Sequence, residues 1–366
     1  MTAGVRPTFP WPAVAPLVGV LLLALTWGRG LGAALVLLVA VALAGAVLAA
    51  VHHAEVIAHK VGEPFGSLVL AVAVTIIEVA LIVTLMLSGG DKTATLARDT
   101  VFAAVMITMN GIVGISLIAA GRMVGVPRFN AEGAGSAVAC VISIATLSLV
   151  LPNFTTASEG PQFSGPQLAF AAIASLALWG MYVLTQTVRH RDFFLPVTDD
   201  GDGVLDEDEH ADPPTGREAV LSLGLLLLAL VAVVGLAKVE SPAIEAGVAA
   251  AGFPPSFVGV VIALLVLLPE TLASVRAARR NLMQTSLNLA YGSAMASIGL
   301  TVPAIAVVSI FLDGPLILGL GSTQMILLLL TTVVSMLTII PGRATRLEGF
   351  VHLTLFAAFV FLSINP

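Results

Sequence analysis

Val74-Thr75-Ile76-Ile77-Glu78-Val79-Ala80-Leu81-Ile82 and Leu265-Val266-Leu267-Leu268-Pro269-Glu270-Thr271-Leu272-Ala273 each set one carboxylate inside an apolar run. The surrounding chain decides how such runs are read. Of its 366 residues, 58% are hydrophobic and 10% are charged, where a soluble domain carries about 25% charged residues. Mean hydropathy is +1.04. Water cannot solvate so much apolar surface, which makes lipid the natural solvent. A helix needs about 20 apolar residues to cross the hydrocarbon. Spanning backbone must satisfy its hydrogen bonds internally, so only helices or a closed barrel can cross. Runs such as 31–51 and 325–340 are continuous rather than alternating, which excludes barrel strands. The expected fold is an all-α polytopic membrane protein.

Reading apolar runs against charged punctuation gives about 11 transmembrane helices, at 12–27, 31–51, 65–87, 99–121, 134–152, 166–188, 217–237, 256–275, 283–311, 322–340 and 347–364. The first resembles a signal segment behind Arg6, but no small-residue cleavage site stands out and the next span follows at once. It is expected to be retained. With these spans, twelve of the sixteen Lys and Arg residues fall on one side and four (Arg29, Lys92, Arg98 and Lys238) on the other. The positive-inside rule then places the N-terminus in the cytoplasm and the C-terminus outside. The lone Cys140 excludes a disulfide framework and reads as a small core residue. The net charge of −6 carries little weight, because most of the acid lies in one loop.

That loop, 189–216, separates a first repeat at 31–188 from a second at 217–366, with residues 1–30 holding an extra N-terminal helix. Five spans per half is an odd number, so equivalent spans run in opposite directions, as in an inverted-topology repeat. Pro64-Phe65 precedes Glu78 by the same thirteen residues that separate Ser256-Phe257 from Glu270. Val113-Gly114-Ile115-Ser116-Leu117 resembles Ile298-Gly299-Leu300-Thr301-Val302, which pairs Thr108 with Ser293.

A charged side chain at such depth costs about 3 kcal/mol on insertion scales and more in simulations, so it needs a partner or a function. One Glu alone could be a neutral, hydrogen-bonded packing residue. Two at matched positions of an inverted repeat would be brought together near the midplane. Two carboxylates in one dry site cannot both stay ionised cheaply, so protons and a cation compete for them and titrate as a coupled set. Ca²⁺ wants six to eight oxygens, which carboxylates, hydroxyls and carbonyls supply. Alternating access turns that competition into antiport. Glu78 and Glu270 are therefore the expected ion-binding, proton-exchanging residues. Thr75, Thr108, Asn110, Asn288 and Ser293 are candidate lining groups, with Ser297 a further polar residue on the same background. Such hydroxyls and amides equally serve helix packing. Pro269 either frees a carbonyl for coordination or only kinks its helix.

Two further clusters stand at the cytoplasmic side. His52, Glu55 and His59 share a helical face, with Glu63 beyond them. This is either a cytoplasmic entrance that holds a metal or relays protons, or an ordinary interfacial helix. In the central loop, Asp200, Asp202, Asp206 and Glu209 fit positions 3, 5, 9 and 12 of an EF-hand around Gly203, but Thr198 occupies the first position. The loop is either a regulatory cation site or a disordered acidic linker that concentrates cations.

The run His53-Ala54-Glu55-Val56-Ile57-Ala58-His59-Lys60-Val61-Gly62-Glu63-Pro64-Phe65-Gly66-Ser67-Leu68, continued by Glu78-Val79-Ala80-Leu81-Ile82, resembles the first repeat of the ChaA-type antiporters of the Ca²⁺:cation exchanger superfamily. Pro269-Glu270 and the stretch from Asn288-Leu289 through Gly292-Ser293 to Leu300-Thr301-Val302-Pro303 resemble the second. The resemblance implies ten core helices plus one, a bacterial inner-membrane location, and proton-driven export of Ca²⁺, Na⁺ or K⁺, with Glu78 and Glu270 as the ion-binding acids. Many Ca²⁺/H⁺ exchangers of that superfamily carry Gly-Asn-x-x-Glu in both repeats. Here the Asn positions hold Thr75 and Leu267, which fits a broader substrate range than Ca²⁺ alone. The expected partners are the lipid bilayer and the transported ions, with no cofactor and no nucleic acid. An enzyme would need a metal site or an activated nucleophile in the spans, and none stands in the sequence. A cation channel or passive carrier is the alternative; internal two-fold symmetry and titratable acids favour an antiporter.

Overall fold

The computed structural model describes residues 11–62, 65–89, 94–197, 214–311 and 315–366. They form helices α1 (Trp11–Thr26), α2 (Ala33–Val61), α3 (Phe65–Gly89), α4 (Leu96–Met106), α5 (Val113–Met123), α6 (Ala131–Ala145), α7 (Gly165–Leu184), α8 (Gly216–Ala250), α9 (Phe257–Val266), α10 (Leu268–Arg279), α11 (Met283–Val308), α12 (Ser322–Ile339) and α13 (Arg346–Ile364). An isolated bridge pairs Arg128 with Arg343. The all-helical membrane architecture expected from composition is thus the architecture observed.

Among the described residues, eight helical segments are long and apolar enough to cross a membrane, and α9 with α10 makes a ninth if that bent pair is one span. The remaining two expected spans, α1 and the Val72–Met86 part of α3, are apolar but shorter. The helices themselves fall where the apolar runs lie. The main departure is α8, which continues to Ala250 rather than stopping at 237. Lys238, Glu240 and Pro242 end a hydropathy window without ending the helix.

The chain divides into two compact units, one of Met1–Ala73 and Asp212–Pro242, the other of Val74–Ala211 and Ala243–Pro366. This division differs from the two repeats expected from the sequence, because the first unit draws on both. In the first unit, α1 packs on α2. Gly19 of α1 lies so close to its neighbours that an added Cβ would meet Ala232 Cβ at 2.9 Å and Ala46 Cβ at 3.7 Å. Gly235 is covered as tightly by Leu23. Lipid offers no hydrophobic drive between helices, so small residues that allow close backbone approach hold such interfaces. At the end of α1, the Lys238 ammonium sits 5.3 Å from the centre of the Trp27 ring, a cation–π contact.

The centre of the second unit is the span running from α4 through α5. Its apolar window is 89% buried, against 50% or less in the other long spans, so it has little lipid face. Its middle turn, Ile107–Ile112, is π-helical. α4 packs on α9, α5 on α13, and α11 on α6, α7 and α10. Glycines again set the approaches. A Cβ on Gly114 would stand 2.9 Å from the Gly349 carbonyl oxygen, and one on Gly299 would stand 2.8 Å from Trp179 Cβ. A non-helical segment leads into α12, pinned by Ile317 N–H to Ala94 O (3.2 Å), Gly319 N–H to Pro161 O (2.9 Å) and Leu320 N–H to Leu149 O (2.8 Å). α13 starts at a capping box in which the Thr345 and Leu347 amides bond Glu348 and Thr345.

Candidate ion site

Glu78 lies in the apolar middle of α3 and is only 4% exposed. A carboxyl group there must find a donor within the protein. It finds Ser297 of α11, whose hydroxyl donates to Glu78 Oε1 at 2.6 Å. Ser297 is itself buried. Thr301, also buried, stands four residues further on the same face of α11, and Thr75, buried, stands one turn before Glu78 on α3. One carboxyl and three hydroxyls are thus supplied by two helices from different halves of the chain.

Glu270 is reached by a different device. α9 ends at Leu267 and α10 begins at Leu268, and the two axes differ by 54°. Pro269 sits in the first turn of α10, where its missing N–H costs no helical bond. Thr271 steadies the break, with both its N–H (2.9 Å) and its hydroxyl (2.7 Å) on the Leu267 carbonyl. Glu270 therefore lies in the first turn of a helix, at its positive end. The side chain is half-buried. α10 packs along α11, and Ser274 Oγ donates to the Ser286 carbonyl at 2.8 Å. α11 therefore both bonds Glu78 and supports the helix of Glu270. Of the two readings of Pro269, the bend is observed.

The other candidate lining groups separate. Thr108 turns its hydroxyl back to the Ala104 carbonyl at 2.8 Å. Asn110, in the π-helical turn, donates from Nδ2 to Thr331 Oγ1 at 2.9 Å, and its Oδ1 accepts from His352 Nδ1 at 3.2 Å. Thr338 Oγ1 donates to His352 Nε2 at 3.1 Å. This buried chain ties the π turn to α12 and α13. Asn288 donates to the Phe194 carbonyl at 2.6 Å and accepts from Gln284 at 2.9 Å, while Gln284 Oε1 accepts from Asn130 N–H at 2.7 Å. Asn288 thus belongs to a belt joining α6, α11 and the 191–194 turn. Ser293 is half-buried, one turn from Ser297.

At the end of α2, Glu55 and His59 are exposed and His52 is half-buried. The inward residue is His53, 4% exposed, with Nε2 donating to the Pro12 carbonyl at 2.9 Å. Among the described residues, no group of three His, Cys, Asp or Glu side chains is placed to hold a metal. Glu63, and with it Asp200, Asp202, Asp206 and Glu209, lies outside the described residues.

Burial alone does not single out Glu78 among the acidic residues. Asp99 and Glu240 are as buried as Glu78, at 4% exposure. Asp99 is neutralised by Arg98 at 2.8 Å and accepts from Thr95 at 2.8 Å, while Arg98 also donates to the Gly319 carbonyl. Ser297 was visible as a polar residue, yet its neighbour Ser293 was preferred. His352 carried no signal beyond being a lone histidine in an apolar run.

Long apolar helices, with a carboxyl held inside the bundle, point to a membrane ion transporter. Comparison with known proteins agrees. The sodium/calcium exchanger protein family matches residues 31–188 and 221–365. The chain belongs to this family of exchangers. It is 45% identical over 363 residues to the putative ionic transporter y4hA of Sinorhizobium fredii, covering 97% of this chain and 96% of that one. It is 34% identical over 325 residues to the sodium-potassium/proton antiporter ChaA of Escherichia coli, covering 88% and 87%. Among solved structures, native YfkE superposes with a TM-score of 0.71 at 16% identity, covering 97% of this chain and 99% of that one. The H⁺/Ca²⁺ exchanger CAX superposes with a TM-score of 0.69 at 15% identity, covering 96% and 86%. At those identities the structures speak for the fold. The expected membership of the Ca²⁺:cation exchanger superfamily is borne out, and the protein is a cation exchanger.

Proposed function

We propose that this exchanger is a secondary antiporter that exports Ca²⁺, Na⁺ or K⁺ in return for protons, by alternating access at Glu78 and Glu270. The observation that carries this reading is Glu78 itself, a carboxyl deep in a membrane helix with the Ser297 hydroxyl on Oε1. Such a group can be neutralised by a proton or by a cation, and the two compete for the same oxygens. The hydroxyls of Ser297, Thr301 and Thr75 are hard donors suited to an alkali or alkaline-earth ion. The sodium-potassium/proton relative supports proton coupling, and the family supports an exchange cycle. On this reading the protein sits in the bacterial inner membrane with its N-terminus in the cytoplasm, an orientation that the uneven distribution of Lys and Arg supports. The lipid bilayer is its partner and the ions are its cargo, so no cofactor is called for. The acidic loop carrying Asp200, Asp202, Asp206 and Glu209 concentrates cations at the inner face.

Everted vesicles with an imposed proton gradient test the reading. Addition of Ca²⁺, Na⁺ or K⁺ should collapse the gradient through the wild-type chain, and neither Glu78→Gln nor Glu270→Gln should do so. Cation flux without proton movement would instead identify a channel or passive carrier. Wild-type exchange in both variants would remove the site assignment.

A further inference from the structure

In the unit formed by Met1–Ala73 and Asp212–Pro242, two buried side-chain polar atoms among the described residues have no hydrogen-bond partner, His53 Nδ1 and Glu240 Oε2. Both belong to titratable groups, and both side chains are 4% exposed. An unmet polar atom at such burial is costly and rare, so one that persists calls for a function. A hydroxyl can rotate its single proton toward any acceptor. A histidine nitrogen and a carboxyl oxygen are fixed in direction.

The chemistry of each atom follows from its neighbour. The Pro12 carbonyl can only accept, so the ring nitrogen facing it, His53 Nε2, carries hydrogen. In the neutral ring this leaves a lone pair on Nδ1. Glu240 Oε2 is an acceptor that no donor meets. The nearby cation is turned elsewhere, since the Lys238 ammonium sits over Trp27. Each residue thus presents a lone pair that can take a proton from water and pass it on, imidazole becoming imidazolium and carboxylate becoming carboxylic acid. Other titratable groups are few. α1 and residues 65–73 contain none, and Arg29, in the turn after α1, is exposed. On their own helices, His53 has His52, Glu55, His59 and Lys60 as neighbours, and Glu240 has Lys238 and Glu245.

The positions are as informative as the atoms. His53 lies toward the C-terminal end of α2 and Glu240 toward that of α8. These are the first helices of the two expected repeats and run in opposite directions, so their C-terminal ends lie toward opposite faces of the membrane. Neither residue is in the unit that holds Glu78, Glu270 and Ser297.

We infer that His53 and Glu240 are paired proton ports, one toward the cytoplasm and one toward the outside, which deliver protons to and from the exchange cycle without binding the transported cation. This rests on the proton-antiport reading above, and the two can fail separately. Loss of proton coupling in the wild-type chain removes that reading, whereas the ports are judged only on face-specific proton delivery.

The experiment compares right-side-out and everted membrane vesicles carrying the full chain, His53→Gln or Glu240→Gln. Exchange is followed while the pH of one face is varied. Glutamine at 53 keeps a donor for the Pro12 carbonyl and removes the basic nitrogen. The expected result is that His53→Gln slows exchange roughly five-fold or more when the cytoplasmic face is alkaline and leaves the outer-face profile unchanged, with Glu240→Gln giving the mirror image. Tens of millimolar imidazole on the affected face should restore the rate, as a mobile buffer replaces the lost relay. Equal slowing from both faces, no slowing, or no response to imidazole overturns the inference. If a glutamine variant does not reach the membrane, His53→Asn and Glu240→Ser are put through the same comparison and judged by the same outcomes.

Discussion

The Ser297 hydroxyl and the Glu78 carboxyl, 219 residues apart in sequence, meet at 2.6 Å inside the second unit. A residue from the second half of the chain thus holds the acid of the first half, and the site exists only when α3 and α11 are both in place. A hydrogen bond to a charged group contributes about 1.5–3 kcal/mol. Ser297→Ala should therefore raise the half-saturating cation concentration by roughly ten-fold or more, while Ser297→Thr, which keeps the hydroxyl, should stay near wild type. Concentration-dependence curves in vesicles check this, and an unchanged midpoint in Ser297→Ala would remove Ser297 from the site.

The break between α9 and α10 yields a second prediction. Because Pro269 occupies the first turn of α10, its missing N–H costs the helix little. Pro269→Ala should change thermal stability by less than about 1 kcal/mol. It should nonetheless slow exchange several-fold, because the restored N–H lets the two helices straighten and moves Glu270. Melting in detergent and initial exchange rates separate the two effects.

The chain Thr338–His352–Asn110–Thr331 is fully satisfied and buried. Replacing His352 with Phe leaves the Asn110 oxygen without its donor and the Thr338 hydroxyl without its acceptor. An orphaned buried polar group costs about 1–3 kcal/mol. His352→Phe should thus lower the melting temperature clearly. The double variant His352→Phe/Asn110→Leu should lose less than the sum of the singles, because the two residues share one network.

Glycine spacing gives a fourth prediction with its own control. Alanine at 114 would bring Cβ to 2.9 Å from the Gly349 carbonyl oxygen and from Leu353 Cγ, whereas Gly224 has nothing within 4 Å. Gly114→Ala should cost about 1–3 kcal/mol through forced separation of α5 and α13. Gly224→Ala should be neutral or stabilising by up to about 1 kcal/mol through helix propensity. Comparable destabilisation in both would contradict the packing described.

How far the sequence could be read depended on whether a feature is local. Glu78 and Glu270 stand out because a carboxylate inside an apolar run is a local contradiction. The helices follow from runs long enough to need lipid. Ser297 could not be told from Ser293, since they lie one turn apart and only the rotation of α11 against α3 chooses between them. The hydrogen bonds of Asn110 to Thr331 and His352 were hidden for a related reason. The π turn at Ile107–Ile112 inserts an extra residue and shifts the face by about 100°, so helical spacing from Thr108 no longer says where Asn110 points. Glu240 was hidden by a boundary, because hydropathy stops at the first charges whereas α8 does not. His53 lies beside the face that helical periodicity selected.

The length of α8 has a consequence of its own. Its 35 residues, at about 1.5 Å each, reach roughly 52 Å, while the hydrocarbon layer is only about 30 Å thick. Tilt alone would have to exceed 50° to hide it, more than the roughly 40° at which spanning helices stop. The turns beyond Lys238 must therefore stand among the lipid headgroups, and acyl-chain length sets how far they emerge. In a short-chain bilayer the turn of Glu240 rises toward bulk water; in a long-chain one it sinks toward oil. The exchanger should accordingly respond to the thickness of the membrane that holds it, with lipid composition acting as a slow control on traffic.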